Sequence, residues 1–323
     1  MWMKWELLGI TVLVIVLLLV GYYLWNCWYF SGAIVAYEHS SLEEARERTE
    51  PVLGPLDLDK LGLPEAEDVS LDVGDGIVLS GWFFENELDG DCGVVLLHGR
   101  GSVRVETFMY VPLFWDRGCD LMMFDARHHG DSTGEYATYG YHEKEDTLEV
   151  LAWFSERTGL ETSQIGLMGV SYGAATVLQA AALEPDLAFV AAEAPFQDLP
   201  TLLREQAEQR YGALGRNVLI PTVLLFAGWR ADFEPAAVSP MLAAREIQAS
   251  VFLIHSLQDE SIPTSHAEAI YANLAHHRKV LYLTDWGAPH AQCMKTDPET
   301  FKSYMDDFLD HYLPGFGLVE AEK

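Results

Sequence analysis

Ile165-Gly166-Leu167-Met168-Gly169-Val170-Ser171-Tyr172-Gly173-Ala174-Ala175-Thr176-Val177-Leu178 is an apolar, strand-like run that breaks at a glycine-flanked serine and resumes as an Ala-rich helical stretch. G-x-S-x-G by itself is a weak pattern. Set between a strand and a helix it becomes a nucleophile elbow, a tight turn that lifts a serine hydroxyl into solvent. The glycines are needed because neighbouring strands and helices pass close to the turn, where side chains would clash. The same turn sets the amide of Tyr172 at the positive end of a helix, aimed at any oxyanion that forms beside Ser171.

Working outward from this turn, short apolar runs alternate with longer helical stretches from Gly93 onward, the pattern of parallel strands covered on both faces. The expected strands are 94–98, 121–125, 165–170, 189–193, 251–255 and 280–283, and the helices between them include 143–157, 172–183, 264–275 and 298–311. Upstream, Val69 to Val73 and Ile77 to Phe84 flank Gly74-Asp75-Gly76, which predicts an antiparallel hairpin at the start of the sheet. The stretch between Glu193 and Val251 is longer than one crossover helix needs, so an insertion at about 197–240 is expected to sit over the site as a small helical cap. The fold class is α/β, with a mostly parallel central sheet and helices on both faces.

A serine hydroxyl is a poor nucleophile at neutral pH unless a base takes its proton and a third group holds that base in the right tautomer. His290, in the loop after the last apolar strand, is the candidate base, and Asp259, just beyond the 251–255 strand, is the candidate orienting acid. Ser171, Asp259 and His290 follow one another in the chain order this elbow requires. Each falls past the C-terminal end of a predicted parallel strand, where sites in open α/β sheets form. His98-Gly99-Arg100-Gly101 follows the 94–98 strand and offers the amide of Arg100 as a second oxyanion donor beside that of Tyr172. The Arg100 side chain is read as exposed, with an anionic substrate group as its alternative partner. Glu193, at a strand end, is the alternative acid, and Asp285 ranks after it. His128, His129, His276 and His277 are read as structural or exposed.

Phe124-Asp125-Ala126-Arg127-His128-His129-Gly130-Asp131-Ser132 resembles the Asp-x-Arg-x-x-Gly-x-Ser turn of the α/β-hydrolase superfamily, and Tyr139-Gly140-Tyr141-His142-Glu143-Lys144 matches the stretch before the next helix. The resemblance extends over roughly residues 66–313, and within the superfamily it is to bacterial membrane-anchored hydrolases of the Bem46 and cell-surface type. It implies hydrolysis of esters, thioesters or related acyl substrates by a serine hydrolase, with a small-molecule acyl substrate and no cofactor, and it does not select a substrate. Two other readings compete. A serine peptidase that removes short N-terminal segments shares the fold and triad but needs a site for a free amine, often paired acids, which the sequence does not assign. A catalytically silent membrane-bound scaffold predicts decay of a triad position, and all three positions are filled.

Composition bounds these readings. Half of the 323 residues are apolar, so a sizeable core can form, and the net charge of −29 argues against nucleic acid, whose phosphates need clustered Lys and Arg. No charged residue lies between Glu6 and Glu38. Leu7 to Val20 is almost wholly Leu, Val and Ile, and Tyr22, Tyr23, Trp25, Trp28, Tyr29 and Phe30 follow. Such a run spans the hydrocarbon core of a bilayer as a helix, with the aromatic residues at headgroup level, and it is too long and too aromatic for a cleaved signal peptide. The expected organisation is a single-pass anchor over 1–37, a connector over 38–65 with a short helix from Ser40 to Arg48 and extended chain around Pro51, Pro55 and Pro64, and a hydrolase domain over 66–323. Flanking charges barely set the orientation, with Lys4 before the span and Arg46 and Arg48 after it. The acidic domain favours the outer face of the cell membrane. Cys27, Cys92, Cys119 and Cys293 form neither a disulfide scaffold nor a metal motif. Cys92 and Cys119 precede strands that should be parallel neighbours, so a disulfide is permitted, but two free thiols are the expectation.

Overall fold

The computed structural model describes residues 2–53, 61–88 and 90–317. Gly74, Asp75 and Gly76 all take positive φ, and the turn they make folds β1 (Glu67–Asp72) onto β2 (Val78–Phe84) as the antiparallel hairpin expected from their sequence. β2 then pairs antiparallel with β4 (Asp120–Phe124), and every further pairing is parallel: β3 (Gly93–Leu97) with β4 and β5 (Ile165–Val170), β5 with β6 (Phe189–Glu193), β6 with β7 (Ser250–Ser256) and β7 with β8 (Lys279–Thr284). The order across the eight-stranded sheet is β1-β2-β4-β3-β5-β6-β7-β8. β3, β5, β6 and β7 are buried along their whole length, which is why they read as continuous apolar runs and not as alternating ones.

Eleven α-helices are present among the described residues: α1 (Trp2–Val35), α2 (Leu42–Leu53), α3 (Val111–Phe114), α4 (Glu143–Thr158), α5 (Tyr172–Ala181), α6 (Leu199–Leu214), α7 (Ile220–Ala231), α8 (Pro240–Ala243), α9 (Ser265–Asn273), α10 (Cys293–Thr296) and α11 (Pro298–Tyr312). One apolar layer joins the sheet to α4, α5 and α9 through residues such as Phe154, Val177 and Ile270. The other joins it to α3 and α11 through Phe114, Phe301 and Phe308. The insertion between β6 and β7 is helical, as expected. A Cβ on Gly215 would meet the Ala207 carbonyl oxygen at 2.6 Å, whereas a continuous helix separates residues eight apart by about 12 Å. The chain therefore doubles back near Gly212, whose φ of 65° interrupts the helix, and α6 and α7 form a hairpin.

Two expectations need correction. The helix after α1 is capped by Ser41, whose hydroxyl accepts from the Glu44 amide while Glu44 accepts from the Ser41 amide, but it runs past Arg48 to Leu53 and takes in Pro51. A proline there forfeits one helical hydrogen bond without ending the helix; Pro55 lies outside the described residues. The second correction concerns the thiols, since Cys92 and Cys119 are joined in a disulfide. Gly93 pairs with Asp120 in the parallel register, so the residues before them are level, with Cα atoms 4.6 Å apart, inside the range a disulfide bridges. Cys27 and Cys293 are free and buried. The bond closes a loop with a sequence separation of 27 residues, which constrains the unfolded chain by about 3–4 kcal/mol. A Cys92→Ala/Cys119→Ala variant is accordingly expected to unfold in urea with a stability lower by about that amount, and an unchanged midpoint would show that the bridge contributes nothing.

Candidate active site

Ser171 joins β5 to α5 with φ 54° and ψ −109°, a conformation that points its side chain off the top of the sheet. The geometry leaves no choice at its flanks. A Cβ on Gly169 would lie 2.4 Å from the Gly173 carbonyl, and one on Gly173 would lie 2.4 Å from the Leu97 carbonyl oxygen and 2.5 Å from that of His98. The Ser171 amide donates to the Glu193 carbonyl at 2.8 Å, pinning the turn to the end of β6.

The loop after β8 brings His290 over this hydroxyl. Asp259, in the loop after β7, is an acceptor, so Nδ1 of His290 carries the proton and donates to Oδ2 of Asp259 at 2.6 Å. Nε2 is then the free acceptor, and the Ser171 hydroxyl donates to it at 2.7 Å. The Asp259 side chain is wholly buried, and its Oδ1 accepts from the amides of Ser261 and Ile262, both at 2.9 Å. Burial pushes the Asp259 carboxyl up, but hydrogen bonds from His255 and His290, the charge of His290 and the Ile262 amide outweigh it and hold the group well below the ordinary carboxylate range.

Glu193 is placed differently from an orienting acid. It is buried at the end of β6, and its oxygens accept from the Tyr110 hydroxyl and the Cys293 amide, each at 2.7 Å. It therefore braces the chain three residues beyond His290 through hydrogen bonds to Tyr110 and Cys293, while the Nδ1 proton of His290 goes to Asp259. Burial raises its carboxyl above the usual range. Burial, with Glu193 beside it, also pushes the Cys293 thiol up to about 12, so this cysteine is not a reactive thiolate near neutral pH. Asp285 accepts from Gln258 at 2.5 Å and is occupied there. His276 and His277 sit in the loop between α9 and β8.

His255 is a site residue that the sequence reading passed over as the end of a strand. Its buried Nε2 donates to the Ile262 carbonyl at 2.8 Å and, at 3.2 Å, to Oδ2 of Asp259. A histidine four residues before the acid, at the end of an apolar strand, was the available signal.

The turn after β3 lies beside the elbow. His98 is fully buried; its Nε2 accepts from the Ala126 amide at 3.0 Å and its Nδ1 donates to the Gly99 carbonyl at 2.7 Å. That bonding fixes the chain at Gly99 and Arg100, which line the same cavity as Ser171, Tyr172 and His290. The Arg100 side chain is exposed, as expected, but its guanidinium is not free: Nη2 donates to the Ala33 carbonyl at 2.9 Å, and the group lies over the Tyr37 ring at 3.8 Å. His129 takes a structural place next to it. Its Nδ1 donates to the Arg127 carbonyl, leaving Nε2 to accept from the Tyr37 hydroxyl at 2.9 Å and the Gly101 amide at 3.2 Å. Burial, helped by the neighbouring histidines, holds this ring neutral by driving its pKa far down. The cavity has a volume of about 350 Å³, with Met109, Phe196, Leu202, Leu203 and Ile262 among its apolar walls.

A hydroxyl bonded to the free nitrogen of an imidazole whose other nitrogen is held by a carboxylate is set to give up its proton. The sheet order, the elbow at the end of β5 and the residues meeting above it are the features of an α/β hydrolase. Comparison with known proteins agrees: the family model described as X-Pro dipeptidyl-peptidase (S15 family) matches residues 35–220 and that of the Prolyl oligopeptidase family matches residues 132–315. The chain belongs to the α/β-hydrolase superfamily, within the region of it that these two overlapping families describe. An uncharacterized Bacillus subtilis protein, YqkD, is 32% identical over 222 residues, 68% of this chain and 71% of its own. Among solved structures, the Pyrococcus furiosus esterase Pf2001 shares the fold with a TM-score of 0.65 at 24% identity, over 80% of this chain and 96% of that one. The Pyrococcus horikoshii acylaminoacyl peptidase superposes with a TM-score of 0.60 at 17% identity, over 82% of this chain and 44% of that one.

Proposed function

We propose that the protein is a serine hydrolase that cleaves carboxylic esters or related acyl substrates through an acyl-enzyme, held at a membrane by α1. The observation that carries this reading is the hydrogen-bonded line from Ser171 through His290 to Asp259, at 2.7 Å and 2.6 Å. Ser171 attacks the substrate carbonyl as its proton passes to Nε2 of His290, and the amides of Arg100 and Tyr172 receive the charge on the carbonyl oxygen. His290 then returns that proton to the leaving group, and the acyl group stays on Ser171. Water attacks next, giving its proton to His290, and the carboxylic acid departs as the serine hydroxyl is restored. Asp259 stays ionised throughout, which its depressed pKa favours.

Peptidase relatives in the same superfamily motivate the second reading, a serine peptidase. A site for a free amino terminus usually offers paired carboxylates, and among the described residues lining the cavity Glu106 is the one acid, set with Arg100 and Lys295. This favours a neutral or anionic acyl substrate over a peptide amine. The place of action follows from α1, which is apolar from Leu7 to Val20 and exposed along that length, and from the Cys92–Cys119 bond, which persists in an oxidising compartment. The helix supports attachment to the cell membrane, and the disulfide supports a hydrolase domain on its outer face, with a cytoplasmic amino terminus.

Ser171→Ala is expected to lower hydrolysis of short-chain nitrophenyl esters by about 10⁴-fold or more while leaving the fold intact. Asp259→Asn should lower it far more than Glu193→Gln; the reverse order would move the orienting role to Glu193, and full activity in the serine variant would remove Ser171 from the reaction. Alkylation in denaturant, before reduction, of protein taken from its native membranes should leave Cys92 and Cys119 unmodified, whereas modification of both would place the domain in the cytoplasm.

A further inference from the structure

The C-terminal end of α1 is built into the hydrolase domain. A helix leaves its last carbonyls without helical partners. Here those of Ala33, Ile34 and Val35 accept from Nη2 of Arg100 at 2.9 Å, the Tyr139 hydroxyl at 3.2 Å and the Ala137 amide at 2.8 Å. Two of these donors, Arg100 and Tyr139, also line the cavity above Ser171. The domain does not hang from a loose tether; its pose relative to α1 is set by hydrogen bonds at the pocket wall.

The cap hairpin packs on α1 below that junction. The Tyr23 hydroxyl donates to the Val218 carbonyl at 2.8 Å and shares a 2.7 Å hydrogen bond with Thr222, while Trp28 meets Phe226 edge-on at 5.8 Å and carries the Arg230 guanidinium over its ring at 3.9 Å. Residue numbers rise together along the contact, so α7 runs parallel to α1, and the chain before Val218 reaches back toward the Leu7–Val20 run. Leu214, four residues earlier, lies on the order of 6 Å further in that direction.

This tip is apolar where it faces solvent. Of the ten exposed large apolar side chains outside α1 among the described residues, five fall within residues 211–229: Tyr211, Leu214, Val218, Leu225 and Trp229. Its charge also runs against that of the chain. From Gln209 to Ala231 there are three arginines, Arg210, Arg216 and Arg230, and no acidic residue, with Arg216 paired to Glu208 at 2.6 Å and Arg230 stacked on Trp28. An exposed apolar tip on a hairpin packed alongside a membrane-spanning helix suits the headgroup and acyl boundary beside that helix. The same hairpin walls the pocket, since Leu202, Leu203 and Gln206 of α6 line it.

We propose that the α6–α7 hairpin is seated in the surface of the bilayer that α1 crosses, so that apolar acyl substrates reach Ser171 from the lipid phase. The proposal rests on α1 being membrane-spanning, and the test separates the two. The full chain, with Cys27→Ser and Cys293→Ser, is reconstituted in phosphatidylcholine–phosphatidylglycerol vesicles and carries one nitroxide at a time on Leu214→Cys, Leu225→Cys, Ile15→Cys or Leu88→Cys. Collision with oxygen against a water-soluble nickel complex then reports depth. The label at 214 is expected to be shielded from nickel and open to oxygen, as at 15, and that at 225 to be intermediate, with 88 open to nickel. Nickel access at 214 and 225 equal to that at 88, or spin–spin broadening there from a second copy, overturns the hairpin proposal. Nickel access at 15 overturns the membrane reading itself. In the same vesicles, Leu214→Asp/Trp229→Asp should hydrolyse a long-chain ester dissolved in the bilayer about tenfold more slowly and a soluble acetyl ester at the parent rate; equal losses on both would also overturn the proposal.

Discussion

The structure is organised around the closeness of β5 to the helix that leaves it. With Gly173 held against the carbonyls of Leu97 and His98, and Gly169 against Gly173, there is room for backbone only, and the chain turns through a positive φ at Ser171. A side chain on such a turn points away from the sheet instead of into either apolar layer. The hydroxyl is thus delivered to the strand ends by packing, and Tyr172, the first residue of the helix that follows it, lines the same cavity. Positive φ at a serine is costly by itself, on the order of 1–3 kcal/mol, and the buried strands on either side over-determine it.

Around that fixed point, the surrounding groups hold two loops still. Asp259 is gripped by two amides and by His255, and this leaves one oxygen directed at His290. The loop carrying His290 is in turn braced by Glu193 through the Cys293 amide, and Glu193 is itself held by Tyr110. A buried carboxylate with two charge-assisted hydrogen bonds is expensive to leave unpaired, so these contacts select one arrangement of the loop over its alternatives. The cap adds Leu202 and Leu203 to the wall of the cavity above Ser171.

Much of this was legible in the sequence because it rests on local signals. Parallel strands buried on both faces leave apolar runs, a hairpin leaves Gly-Asp-Gly, and an elbow leaves two glycines around a serine. The positions of Asp259 and His290 were legible because each lies just past a strand whose end must be at the same edge of the sheet. What was not legible depends on long-range neighbours. His255 looks like the tail of an apolar strand until Asp259 folds back onto it, and Glu193 looks like a spare acid until Tyr110 and Cys293 surround it. The guanidinium of Arg100 reads as a surface charge because nothing local shows that the end of α1 returns to meet it. The Cys92–Cys119 bond depends on the β3–β4 register, which spacing alone does not supply, and the turn of the cap at Gly212 is concealed in a stretch whose composition suits one continuous helix.

The central claim is that Ser171 forms a covalent acyl intermediate, and active-site mapping with a fluorophosphonate tests it most directly. Protein in membranes is treated with the probe, digested, and the modified peptide sequenced by tandem mass spectrometry. The account predicts one adduct, on Ser171, formed by native protein and lost on heat denaturation before treatment. An adduct on another serine, or none on native protein under conditions that label a known serine esterase, would contradict it.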